Sequence, residues 1–85
     1  MVTLKEIETV LAVSQMGSFV GGAKHLGTSQ ANVSKIIAQL EKKIDVQLFV
    51  RAASGAVLTE EGEYVKGYAE QIEKLIGEIW KLSEK

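Results

Sequence analysis

No cysteine and no proline occur among the 85 residues, and there is a single histidine, His25. Without thiols, neither a disulfide nor a thiolate–metal site can staple the chain. With one imidazole, a metal site would have to be almost all carboxylate. No metal and no cofactor are therefore expected. Apolar runs reach only a few residues, far short of the roughly 20 needed to span a bilayer, so no membrane association is expected. The amino terminus, MVTLKEIE, lacks the charged-then-apolar pattern of a secretory signal. A reducing compartment, the cytoplasm, follows as the expected location. A chain this short makes one domain and buries only about 60–65% of its unfolded surface, which leaves its stability dependent on a partner.

Strong charge of one sign is also missing: the net charge is −1. Its distribution is uneven. Residues 1–58 hold six cations (Lys5, Lys24, Lys35, Lys42, Lys43, Arg51) against Glu6, Glu8, Glu41 and Asp45, net +2. Residues 59–85 hold four lysines against seven glutamates, net −3. The two parts have different electrostatic roles.

Glycine supplies the punctuation. Thr3 followed by Glu6 is a capping-box pair opening a first helix, whose buried stripe is Leu4, Ile7, Leu11 and Ser14 with Val10 alongside. Gly17 ends it. Ser18 caps a short second helix, Phe19 to Leu26, with Phe19, Ala23 and Leu26 facing inward. Gly27 breaks that helix, and Ser29 or Thr28 caps a third. There Val33, Ile37, Leu40 and Ile44 fall on one face at 100° per residue, giving an amphipathic helix of about fourteen residues that ends near Asp45. VQLFV and VLT read as two short strands around the turn RAASGA, a β-hairpin. Thr59 caps a long last helix, its early glutamates suited to the positive end of the helix dipole.

In that last helix Val65, Ile72 and Ile79 recur every seven residues, as do Tyr68, Leu75 and Leu82, with Ile76 and Trp80 widening the stripe. Such a pattern serves either packing within the domain or a helix–helix dimer seam. The seam is favoured, because the other helices are too short to cover its whole length.

GSFVGGAK (residues 17–24) has a superficial likeness to a phosphate-binding loop. It lacks the adjacent Gly-Lys, the following Ser or Thr and the preceding strand. Gly21 and Gly22 read instead as marks of close helix packing. His25 has no second ligand or nucleophile at workable spacing, and no catalytic constellation is found; an enzyme is not expected. Asn32-Val33-Ser34 matches the glycosylation acceptor pattern, but Val33 belongs to a buried stripe and no secretion signal is present.

The outer side of the third helix is more informative. Opposite its apolar stripe lie Ala31, Lys35, Ala38 and Lys42, flanked by Ser34 and Gln39. A merely solvated face carries Glu–Lys pairs four apart; this one has no acid until Glu41, to its side. Small residues, cations, amides and hydroxyls together suit a helix laid in a DNA major groove, where Gln, Asn and Ser bond base edges and Lys neutralises phosphates. With the short helix before it, this makes a helix-turn-helix. A protein-interaction helix is the alternative.

In their order and spacing, Gly17-Ser18-Phe19, Ala23, Leu26, Ser29-Gln30, Val33-Ser34-Lys35, Leu40-Glu41, Leu48-Phe49, Arg51, Leu58-Thr59 and Gly62 resemble the amino-terminal DNA-binding domain of the LysR-type transcriptional regulators. The similarity runs from about Leu4 to Ile72 without a gap. It implies a mainly α fold: a winged helix-turn-helix of three helices and a hairpin over residues 1–58. A linker helix over 59–85 would pair antiparallel with that of a second subunit. It further implies that Ser29, Gln30, Ser34 and Lys35 lie in or beside the major groove and that Arg51 touches backbone beside the wing. The 52–56 turn, with Ser54, would approach the minor groove, and Ser18 and Phe19 would set the second helix against a phosphate. Taken with the face analysis, Lys35, Lys42 and Arg51 are expected to supply backbone affinity. Gln30, Asn32, Ser34 and Gln39 are expected to supply specificity, and Val65, Tyr68, Ile72, Leu75, Ile76, Ile79, Trp80 and Leu82 the homodimer. Double-stranded DNA carrying an inverted repeat is the implied partner.

The chain departs from the family pattern at several positions. Ala31 stands where proline is common, and Lys35 replaces an arginine, losing the fork that grips guanine. Ile36, Ala38 and Gln39 occupy positions that are commonly polar or basic. Asp45 replaces the glycine that ends the helix, and Ser54 occupies a frequently basic wing position. Fewer cations imply weaker and less salt-sensitive binding than in a typical member. Family members continue into an effector-binding domain; the chain stops at Lys85, so no small-molecule effector site is expected within it. Both a fragment of a longer regulator and a stand-alone protein fit, the latter including a domain that pairs with a full-length regulator and antagonises it.

Overall fold

The computed structural model describes residues 1–84. Four helices and one hairpin follow in the order α1 (Leu4–Met16), α2 (Phe19–Leu26), α3 (Gln30–Ile44), β1 (Phe49–Ala52), β2 (Gly55–Leu58) and α4 (Glu60–Lys81), with a last 3₁₀ turn, Leu82–Glu84. Helices α1 to α3 pack around a small core that the hairpin closes from one side. The fold is a winged helix-turn-helix with an attached long helix.

Every helix start lies where a hydroxyl can cap it. Thr3 and Glu6 form the full capping box, Ser18 Oγ accepts from Gly21 N–H, Ser29 Oγ from Asn32 N–H and Thr59 Oγ1 from Gly62 N–H. Each cap is worth about 1 kcal/mol. Asp45 ends α3 in the left-handed conformation, φ 56°, at the expected position, and its N–H returns to the Glu41 carbonyl. Gly22 is buried where α2 crosses α1; a Cβ there would lie 2.8 Å from Val13 Cγ2, so only glycine allows the approach.

The core consists of Val10, Val13, Phe19, Ala23, Val33, Ile37, Leu40, Leu48 and Phe49, with Ile44, Val46, Ala56, Leu58 and Val65 packed on it. Full burial of a Val, Leu, Ile or Phe side chain contributes about 1.5–3 kcal/mol, so this cluster is the main source of stability.

Two expectations need correction. In α1 the buried face is Glu6, Thr9, Val10, Leu11, Ala12 and Val13, while Leu4 is exposed and Ile7 and Ser14 are half-buried. Polar residues take core positions because their polar atoms are satisfied locally: Thr9 Oγ1 donates to the Lys5 carbonyl at 2.7 Å, and Glu6 is paired as described below. Leu26, expected inward, is also exposed; with Leu4 it lines an open groove between α1 and α4. In α3 Ile36 joins Val33, Ile37 and Leu40 in the buried set.

The hairpin is also displaced from its expected limits. Its strands pair Phe49 with Leu58, Val50 with Val57, Arg51 with Ala56 and Ala52 with Gly55, so Arg51 lies on a strand and only Ala53 and Ser54 form the turn. The first strand starts late because Leu48 N–H is taken by the Glu41 carboxylate at 2.7 Å. Gly55, at φ 137°, abuts the Gly17 carbonyl, which accepts from Ala56 N–H at 3.0 Å. That contact docks the wing onto the α1–α2 turn.

No helix among the described residues is long and apolar enough to cross a membrane.

Candidate nucleic-acid interface

The outer face of α3 and the adjoining side of the hairpin form one surface. Gln30, Ala31, Lys35, Ala38, Gln39 and Lys42 are exposed along α3; Asn32 and Ser34 are half-buried at its two edges. The two edges differ. Asn32 faces α1: its Nδ2 donates to Thr28 Oγ1 at 2.9 Å, and it shares a shallow depression with Lys35, Gln39 and Lys5. Ser34 faces the wing and accepts from Arg51 Nη2 at 2.6 Å.

Arg51 is held more closely than any backbone-contacting cation needs to be. Its guanidinium carbon sits 4.0 Å above the Phe19 ring, and that ring meets Phe49 edge-on at 5.6 Å between centroids. A cation over an aromatic face contributes about 0.5–2 kcal/mol. Phe19, expected as a residue placing α2 beside a phosphate, is buried and carries the arginine through its ring. Ser18 is the cap of α2, half-buried, and Ser54 stands exposed at the hairpin tip. Ser29 is exposed and caps α3.

Glu41 is the residue whose role sequence reading missed. Its carboxylate accepts from the N–H groups of Leu48 and Phe49, at 2.7 and 3.3 Å. It thereby ties the end of α3 to the first strand of the wing, and nothing in its sequence spacing announces that bond.

Among the described residues Lys24, Lys35 and Lys42 enter no ion pair, so their charge is available to an outside anion. Lys43 is not: its Nζ bonds Glu6 at 2.6 Å and the Met1 carbonyl at 3.0 Å. The Lys43 hydrogen bond, followed by the Thr3 backbone N–H, holds the Glu6 carboxyl below its ordinary value of 4.5, against the opposing effect of burial.

The residues of the expected dimer seam divide along α4. Val65 packs against the core and Ile72 is half-buried in the groove with Leu4, Leu11 and Ala69. Tyr68, Leu75, Ile76, Ile79, Trp80 and Leu82 are exposed, Trp80 to 71%. His25 lies on the wall of the same groove, exposed. No group of His, Cys, Asp or Glu that could hold a metal exists among the described residues.

Comparison with known proteins bears on this geometry. The family described as "Bacterial regulatory helix-turn-helix protein, lysR family" matches residues 4–63. An uncharacterized HTH-type transcriptional regulator of Methanocaldococcus jannaschii is 42% identical over 71 residues, 84% of this chain and 24% of its own length. The HTH-type transcriptional regulator DmlR of Escherichia coli is 34% identical over 76 residues, 89% of this chain and 25% of its own. The chain thus spans about a quarter of the length of these curated relatives. Among solved structures, the crystal structure of a CbnR_DBD–DNA complex superposes with a TM-score of 0.87 at 26% identity, covering 98% of this chain and 95% of that one.

Proposed function

Because the chain belongs to the lysR family of bacterial regulatory helix-turn-helix proteins, we propose that it binds double-stranded DNA sequence-specifically, as a homodimer, and regulates transcription. The observation that carries this reading is the outer face of α3. Lys35 and Lys42 stand there without ion-pair partners, among Gln30, Asn32, Ser34 and Gln39, and Arg51 flanks them from the wing. Laid in a major groove, α3 brings amides and a hydroxyl to base edges, and the lysines meet the phosphates on either side.

Residues 1–58 then act as the DNA-reading unit and 59–85 as the dimerising helix, in the cytoplasm. Exposed Leu75, Ile76, Ile79, Trp80 and Leu82 supply an apolar stripe that a second copy of α4 covers. Two-fold pairing presents two α3 helices to successive turns of the major groove, which calls for an inverted-repeat site.

The thin positive charge of residues 1–58 supports a second reading, in which the chain pairs through α4 with a full-length regulator and antagonises it. Affinity for nonspecific duplex at low salt separates the two. The DNA reading expects measurable binding that weakens with added salt; an antagonist without DNA affinity gives none, and that result would remove the first reading.

A further inference from the structure

Arg51 and Ser34 are 17 residues apart in the chain, on different elements, and meet at 2.6 Å. The arginine cannot easily leave, since it is stacked on Phe19, which is itself 7% exposed and braced by Phe49. A guanidinium has donors and no acceptor, so Ser34 Oγ must be the acceptor in this bond, and its hydroxyl hydrogen points elsewhere. Helical hydroxyls often donate to a carbonyl one turn back, as Thr9 and Ser14 do. Among the described residues Ser34 Oγ makes no such bond; its one side-chain partner is Arg51. The proton is left for an acceptor outside the protein.

A serine by itself is an ambiguous reader, able to bond donors or acceptors on a base edge. Resting on the DNA-binding reading above, we infer that Arg51 determines specificity through Ser34. By taking one of the hydroxyl oxygen's two lone pairs it biases Ser34 toward donating, which favours, at the base pair Ser34 faces, an acceptor such as guanine O6 or N7 or thymine O4 over an amino group. Arg51 is a positioning residue in this role, and its cationic charge further strengthens the hydroxyl as a donor. Its remaining N–H groups stay free for phosphate.

The test is competition binding by the whole chain, with duplexes that vary a wild-type-selected site one base pair at a time. Ser34→Ala locates the position that Ser34 reads by flattening preference there about tenfold. Arg51→Ala is expected to lower affinity for every duplex, through lost charge, and also to flatten preference at that same position by a similar factor. In the double variant the flattening does not increase further, because one unit has been removed twice. Uniform loss of affinity in Arg51→Ala with preference retained at the Ser34 position would overturn the inference and leave the DNA reading standing. So would additive flattening in the double variant, or a preferred base that offers Ser34 only an amino group. A wild-type chain that binds no duplex at all would overturn both. Arg51 is exposed, and a circular dichroism spectrum matching wild type establishes that the variant is folded.

Discussion

Glu6 is a carboxylate inside the fold, 5% exposed, and two donors make that tolerable: Lys43 Nζ and the backbone N–H of Thr3. The folded chain therefore holds the Glu6 proton less tightly than the unfolded chain does. Its contribution to stability is complete above pH 4.5 and is lost as pH falls below that value through the lowered one. Urea unfolding of wild type and Glu6→Gln should show the variant weaker at neutral pH, with the difference shrinking in acid; an unchanged difference would dismiss the pairing as a source of stability. On the outer face, Gln30 and Lys35 should behave differently. Gln30→Ala is expected to reduce discrimination between sites by roughly 1–3 kcal/mol. Lys35→Ala should weaken all sequences alike and lower the salt slope by about 0.9 for each bound copy, as read from binding isotherms across a salt series. At this scale the sequence was informative wherever a residue acts on its own neighbours. The caps Thr3, Ser18, Ser29 and Thr59 and the left-handed Asp45 all follow local rules. Ser34–Arg51 and Glu6–Lys43 join residues far apart in the chain, and no local rule reaches them.

Among the elements, α3 was readable from its period; the wing was readable as a hairpin around a turn, but not in its limits. Its strands carry Arg51 and small residues instead of an alternating apolar pattern, so the strand limits depend on where backbone bonds are available. Glu41 decides one of them. Taking Leu48 and Phe49 N–H into its carboxylate, it sets where pairing begins and holds the wing at a fixed height beside α3. Glu41→Ala leaves those donors without a partner, which costs about 2 kcal/mol, or roughly 8–16 °C in Tm for a domain of this size. Glu41→Gln keeps one acceptor oxygen and should recover part of that loss. Equal melting of wild type and Glu41→Ala would mean that water replaces the carboxylate. Helix α1 shows the opposite lesson: its apolar wheel favoured Leu4, yet Glu6 and Thr9 join Val10, Leu11, Ala12 and Val13 in the buried face, because a satisfied polar group packs as well as an apolar one.

As a whole, the molecule extends 47 Å along one axis and 25 and 20 Å along the others, and α4 accounts for the elongation. Its first half is covered by the domain, through Ala69, Val65 and Ile72; its second half presents Ile79 at 67% and Trp80 at 71% exposure. A lone chain in water would leave that stripe uncovered, so Ile79→Glu is expected to shift the mass in solution from dimer to monomer and, with it, to weaken DNA binding. Light scattering that finds a monomer in wild type would contradict the seam. The heptads made this surface visible in the sequence; which half the domain itself covers was not, since that depends on where α1 crosses α4.

We propose that two copies of this chain read an inverted repeat through α3. Selection of bound sites from random duplex DNA by the purified 85-residue chain tests it most directly. The prediction is enrichment of two inverted half-sites with centres about 10–10.5 base pairs, or a multiple, apart. A bound pool with no enriched sequence, or a single unpaired half-site, would contradict it.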